Sequence, residues 1–136
     1  MNALSTHATG HADVELRLPA DSAFVSVLRT TTAGLAARLD FTIDDIEDLR
    51  IAVGEACAMV LPEADPESDL TCRFFMRPGD LTISVSVTSS NPPEPDFDSF
   101  AWTVLNTLAS SAEAVTEGSE FSVRLVMHSE HSATGN

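Results

Sequence analysis

The chain has 136 residues, 43% of them hydrophobic, enough for one ordinary globular domain with a sizeable core. Its formal net charge is −14 and all seven Lys/Arg positions are arginines, so the basic stripe of a nucleic-acid binder is missing and an anionic membrane surface is disfavoured. No apolar run approaches the ~20 residues needed to cross a bilayer, and the start, Met1-Asn2-Ala3-Leu4-Ser5-Thr6-His7, lacks a basic-then-apolar signal; the expected location is the cytoplasm.

Residues 1–12 are polar and small and read as a mobile tail, ahead of one domain over 13–128 and a second tail over 129–136. Val14, Leu16 and Leu18 alternate with Asp13, Glu15 and Arg17, which predicts a half-buried strand that Pro19 ends. Asp21 or Ser22 can cap a helix in which Phe24, Val27, Leu28, Thr31, Leu35 and Leu39 share one face. After the turn Asp40-Phe41-Thr42, Thr42 caps a second helix with Ile43, Ile46, Leu49, Val53, Ala56, Cys57 and Val60 as its apolar stripe. Asp44, Asp45, Glu47 and Asp48 lie in its first turns, where negative charge suits the helix dipole.

Pro62 ends that helix and opens a polar loop to Asp69. Leu70–Met76 and Leu81–Val87 read as strands around the turn Arg77-Pro78-Gly79-Asp80, with Leu81, Ile83, Val85 and Val87 inward and Thr82, Ser84, Ser86 and Thr88 outward. Asn91-Pro92-Pro93-Glu94-Pro95 excludes regular structure. A third helical pattern runs from Phe100 to Val115, with Val104, Leu105, Leu108 and Ala112 on its apolar face, and Phe121, Val123, Leu125 and Met127 alternate in a last strand. The order β-α-α-β-β-α-β predicts an α/β fold, a two-layer sandwich with helices on one face of a mixed sheet.

Cys57 and Cys72 lack metal-ligand spacing and read as small core residues. His7 and His11 could share a helix face, and His128 and His131 lie near the far end. None has the carboxylate or cysteine company of a metal site, so no metal site is expected.

The order of elements, Leu28-Arg29-Thr30, the Leu39-Asp40 turn and the run Leu49-Arg50-Ile51-Ala52-Val53-Gly54-Glu55-Ala56-Cys57 resemble the RsbW-type anti-sigma factors. These are serine-protein kinases of the GHKL (histidine-kinase-like, or Bergerat) ATPase fold. The resemblance spans roughly Val14 to Met127 and is strongest from Leu28 to Cys57.

What it implies for nucleotide chemistry is a helix with Glu-x-x-x-Asn, a strand ending in Asp-x-Gly-x-Gly, and Gly-x-Gly ahead of the third helix. Glu55 keeps the first position, as the carboxylate that would act in catalysis were the kinase active. Met59 stands where the Asn oxygen would hold Mg²⁺, a hard ion that a thioether serves poorly. The second motif reads Ser89-Ser90-Asn91-Pro92-Pro93, so that Ser89, Asn91 and Pro93 replace the Asp and both glycines; the third reads Ser99-Phe100-Ala101, with Ser99 and Ala101 replacing glycine. The expectation is a degenerate site without bound Mg·ATP, with Met59 and Trp102 filling the vacated space.

The resemblance further implies a sigma-factor contact through a helix arginine, which Arg29 matches when the segments are aligned on Leu39-Asp40. Arg38 and the acids Asp44, Asp45, Glu47 and Asp48 are secondary interface candidates. The leading expectation is a homodimeric anti-sigma factor that sequesters an alternative sigma factor of the stress or sporulation type. An anti-anti-sigma protein would release it, without kinase activity of its own. The alternatives are an active serine kinase that phosphorylates the anti-anti-sigma protein, using Glu55 and a divergent lid, and a small-ligand-sensing module with no sigma partner.

Overall fold

The computed structural model describes residues 10–129. Strand β1 (Val14–Pro19) leads through a 3-10 turn (Ser22–Phe24) into α1 (Val25–Arg38), and α2 (Ile43–Val60) follows. A second 3-10 turn (Leu61–Glu63) precedes β2 (Asp69–Arg77) and β3 (Asp80–Thr88). Then come α3 (Phe100–Leu108), β4 (Ser111–Glu117) and β5 (Glu120–His128). The five strands form one sheet in the order β1-β2-β3-β5-β4. The predicted two-layer α/β sandwich is present, but every strand pair is antiparallel, where a mixed sheet is expected. Two tight hairpins, β2–β3 and β4–β5, account for much of this, since a short loop can only reverse the chain.

The local signals that shape these elements are mostly the predicted ones. Thr42 Oγ1 accepts from Asp45 N at 3.1 Å to cap α2, whereas Asp21 accepts from the Ala23 N–H at 2.8 Å and so caps the 3-10 turn, not α1, whose start at Phe24 has no side-chain cap. Pro62 sits in the 3-10 turn that closes α2. Gly79 takes φ +74° after Pro78, the pairing that lets Arg77 face Asp80 across the β2–β3 turn.

The core lies between the helices and the inner face of the sheet. It gathers Leu28, Leu49, Val53, Cys57 and Val60 from the helices with Leu70, Phe74, Ile83, Val85, Val123 and Leu125 from the strands. Both cysteines are buried thiols, as expected.

The structure departs from the sequence reading in four further places. The third helix stops at Leu108, and 111–117 is an edge strand, so Ala112 is a half-buried strand residue paired with Leu125 rather than the last turn of a helix face. Ser110 N–H donates to Val126 O, and Gly118 at φ +61° turns the chain into β5, so cross-strand pairing overrides the helical spacing. Val27 is 44% exposed, because α1 buries the neighbouring row Leu28, Thr32 and Ala36, whose middle member bonds its hydroxyl to Leu28 O. Ile43, the first residue of α2, is 78% exposed. On β3 the outward Thr82, Ser84 and Ser86 are buried although they face away from the helices. Thr82 and Ser84 share a shallow cleft with Arg73, Phe75 and Arg124, Ser86 is hydrogen-bonded to Ser122 at 2.7 Å, and only Thr88 of the set is exposed.

That outer face is polar and held by ion pairs. Arg73 bridges Glu15 on β1 and Glu120 on β5, and Arg124 pairs with Glu113 on β4 at 3.0 Å. Asp13 N–H donates to Phe74 O, and Ser129, expected in the second tail, is buried with its N–H donating to Gly79 O. His7 and His131 lie outside the described residues. His11 is exposed, and His128 Nδ1 stands 3.1 Å from Asp80 Oδ1.

Candidate functional site

Helix α2 carries Glu55 and Met59 one turn apart, so the two side chains share a face, and both are half-buried. Met59 packs against the hydrophobic core. A long, flexible, polarisable side chain fits an irregular gap there well. Helices α1 and α3 both pack on α2, which is therefore the element that links the candidate positions.

Ser89 directly follows β3 and is buried, with its N–H donating to Ser119 O at 2.7 Å. The next residue is clamped. Asp65, in the loop between α2 and β2, accepts from Ser90 N at 2.9 Å and from Ser90 Oγ at 2.6 Å, while its own N–H donates to Thr88 O. The Ser90 hydroxyl and N–H hold the Asp65 carboxyl below the usual carboxylate range. Asp65 is a structural anchor that the sequence reading missed, because its partner lies 25 positions away and no local pattern marks the pair. Beyond it Asn91 is exposed and Pro93 half-buried. Ser99 caps α3 by accepting from Trp102 N, and Ala101 lies half-buried in the first turn. Trp102 is 1% exposed and part of the core, with the Phe97 ring tilted against it at a centroid distance of 4.9 Å.

The donors expected around a magnesium nucleotide are an amide oxygen, a carboxylate and glycine N–H groups. The positions here supply a thioether, a buried hydroxyl with its N–H already committed, and a backbone interrupted by proline.

Arg29 projects from α1 toward α2. A Cβ placed on Gly54 would stand 2.5 Å from Arg29 Nη2 and 2.9 Å from Nε, so the guanidinium lies directly over the bare backbone of that glycine. Glycine is what makes the approach possible. Arg29 is an exposed residue, and its guanidinium has no ion-pair partner among the described residues. Together with Ser22, Ala23, Val25, Ser26, Ala58 and Leu61 the pair lines an open groove of about 340 Å³ between α1 and α2. Beneath it, burial pushes the Cys57 thiol up to about 12, a shift that the positive charge of Arg29 only partly offsets. Cys57 is thus an inert core thiol. Of the secondary candidates, Arg38, Asp44 and Glu47 are exposed and Asp48 is half-buried. Asp45 is only 7% exposed, because it lies on the inner side of the first turn of α2.

No protein-family model matches the chain. Among curated proteins, it is 43% identical over 88 residues to a serine-protein kinase RsbW of Bacillus cereus (strain G9842), covering 63% of this chain and 53% of that protein. The serine-protein kinase RsbW of Bacillus subtilis (strain 168) is 39% identical over 76 residues, 54% of this chain and 48% of that protein. That of Halalkalibacterium halodurans is 52% identical over 54 residues, 40% of this chain and 33% of that protein. The chain thus spans a third to about half the length of these relatives. Among solved structures, the crystal structure of the RsbU and RsbW domains of Rv1364c from Mycobacterium tuberculosis superposes with a TM-score of 0.64. That match covers 85% of this chain and 31% of the other, at 13% identity, a likeness of fold alone. On the sequence matches and the fold together, the chain is similar to the RsbW serine-protein kinases over about half of their length and shares its α/β fold with a structure that contains an RsbW domain.

Proposed function

We propose that this protein is a cytoplasmic anti-sigma factor that captures an alternative sigma factor without using nucleotide, and that an anti-anti-sigma protein competes it off. The observation that carries the reading is Arg29. Its guanidinium is exposed, without an ion pair among the described residues, and laid over Gly54 at the rim of the α1–α2 groove. A planar donor fork at the rim of a groove is suited to a carboxylate on a partner, and such arginines are frequent hot spots. The rest of the contact would come from the groove and from exposed residues of α1 and α2. A stable complex needs at least about 1,000 Å² of buried surface in total.

The nucleotide-free part of the proposal rests on Met59, Ser89, Asn91, Pro93, Ser99 and Ala101, whose chemistry suits neither Mg²⁺ nor phosphate. Glu55 is then a polar residue on a helix face rather than a catalytic carboxylate. With no phosphoryl transfer, release of the sigma factor depends on competition and abundance. We place the chain as a homodimer in this reading, and its mass in solution is the check.

A second reading has one observation in its favour: the relatives carry the name serine-protein kinase, and Glu55 is retained. In that reading the chain binds Mg·ATP and phosphorylates its antagonist. Calorimetric titration with Mg·ATP separates the two. The proposal expects no heat and no thermal stabilisation, and saturable micromolar binding would put the kinase first. In parallel, Arg29→Ala is expected to weaken sigma-factor capture by about 2 kcal/mol; unchanged capture would remove Arg29 from the interface.

A further inference from the structure

The segment that joins β3 to α3 carries a feature that neither the nucleotide motifs nor the Arg29 groove accounts for. Phe97 is 60% exposed and Phe100 81% exposed, the latter more than any other large apolar side chain among the described residues. They are not loose. Asp96 Oδ1 accepts from Asp98 N at 3.1 Å and Asp96 O accepts from Ser99 N at 3.0 Å, which folds the turn. Ser99 then caps α3, and the Phe97 ring lies tilted against the buried Trp102. Two phenylalanines are thus presented to solvent from a braced turn.

The charge along this segment is all of one sign. Glu94, Asp96 and Asp98 are exposed, and no Lys, Arg or His occurs anywhere between Arg77 and Arg124. A membrane surface is disfavoured by the same acids, and a second copy of this chain would set the three carboxylates against their like.

We propose that residues 91–100 form a second docking surface, which takes a basic, apolar-faced helical segment of a protein partner. The two phenylalanine rings would fill its apolar stripe, and Glu94 and Asp98 would pair with its lysines or arginines. Because the rings are already placed, little side-chain freedom is lost on binding. The surface belongs to a different helix from Arg29, so the proposal does not rest on sigma-factor capture.

The test uses the full chain and a dye-labelled synthetic peptide, helical, with leucine along one face and lysine along the other. Fluorescence polarisation is expected to show micromolar binding that fades as salt rises, and none with a leucine–glutamate peptide of the same pattern. Phe100→Ser, at a side chain so exposed that folding is indifferent to it, is expected to weaken binding about tenfold or more. Glu94→Gln with Asp98→Asn is expected to weaken it severalfold, leaving Asp96 to hold the turn. No binding of the lysine peptide, or binding untouched by Phe100→Ser, overturns the proposal. So does a sedimentation result in which Phe100→Ser turns an assembled chain into a monomer, since the occupant is then a second copy.

Discussion

Replacing Gly54 with alanine tests whether the placement of Arg29, rather than its mere presence, matters. A Cβ at position 54 would meet Arg29 Nη2 at 2.5 Å and Nε at 2.9 Å, closer than real side chains come, so something must move. The far end of a flexible arginine on the surface moves easily. Inside a helix, alanine is favoured over glycine by about 0.5 to 1 kcal/mol. The two effects together predict that Gly54→Ala leaves stability unchanged or raises it by up to about 1 kcal/mol in urea denaturation. Binding should behave differently. With the guanidinium pushed off the glycine, sigma-factor affinity is expected to fall by about 1 kcal/mol, less than the loss in Arg29→Ala because the charge remains. Titration of both variants beside the parent chain gives the comparison. A stability loss of more than about 1 kcal/mol would mean that the Arg29 head is locked in place as packing. Full affinity in Gly54→Ala would mean that the glycine does not position Arg29 for a partner.

Three other outcomes follow from the same geometry. Trp102→Ala is expected to cost about 3 to 5 kcal/mol in denaturant unfolding, since it empties a core site and removes the support of Phe97; a loss under about 1 kcal/mol would show that Trp102 does not fill the core. The Asp65 carboxyl is held below its ordinary 3.8 by Ser90, so its contribution to stability is fully present above 3.8 and is lost as pH falls through the lower folded value. NMR titration should therefore find Asp65 below 3.8 and Ser90→Ala should return it upward; the same value in both would contradict the clamp. The Cys57 thiol, raised from 9.0 to about 12, favours the folded state until pH exceeds 9.0 and progressively less as pH rises toward 12. Both cysteines should resist thiol reagents at pH 8 in the native chain and react on unfolding, and rapid labelling of the folded protein would place one of them at the surface.

Much of the architecture was legible because the inner strands carry their own signal. Leu81, Ile83, Val85 and Val87 alternate without interruption, and Pro78-Gly79 marks the turn between β2 and β3. Strand β4 was not legible, because Ala112-Glu113-Ala114 is good helix material and continues the spacing of Leu105 and Leu108. Its conformation comes from pairing with β5, which no local window contains. The same limit explains the site. The replacements at Met59, Ser89 and Pro93 can be read directly, whereas the Asp65–Ser90 clamp and the seat of Arg29 on Gly54 are contacts between distant segments. Exposure was misjudged where a helix had two apolar rows to choose from, as Val27 against Leu28, since its packing on α2 decides which row is covered.

The measurement that bears most directly on the account is the affinity of the purified chain for an alternative sigma factor, determined in nucleotide-free buffer and again with saturating Mg·ATP. The account predicts tight binding in both, with the same dissociation constant and a large loss in Arg29→Ala. Binding that appears only with Mg·ATP would contradict it. The nucleotide would then be part of the site, and Met59 and the substituted loops would have to hold it by contacts other than those the family motifs provide.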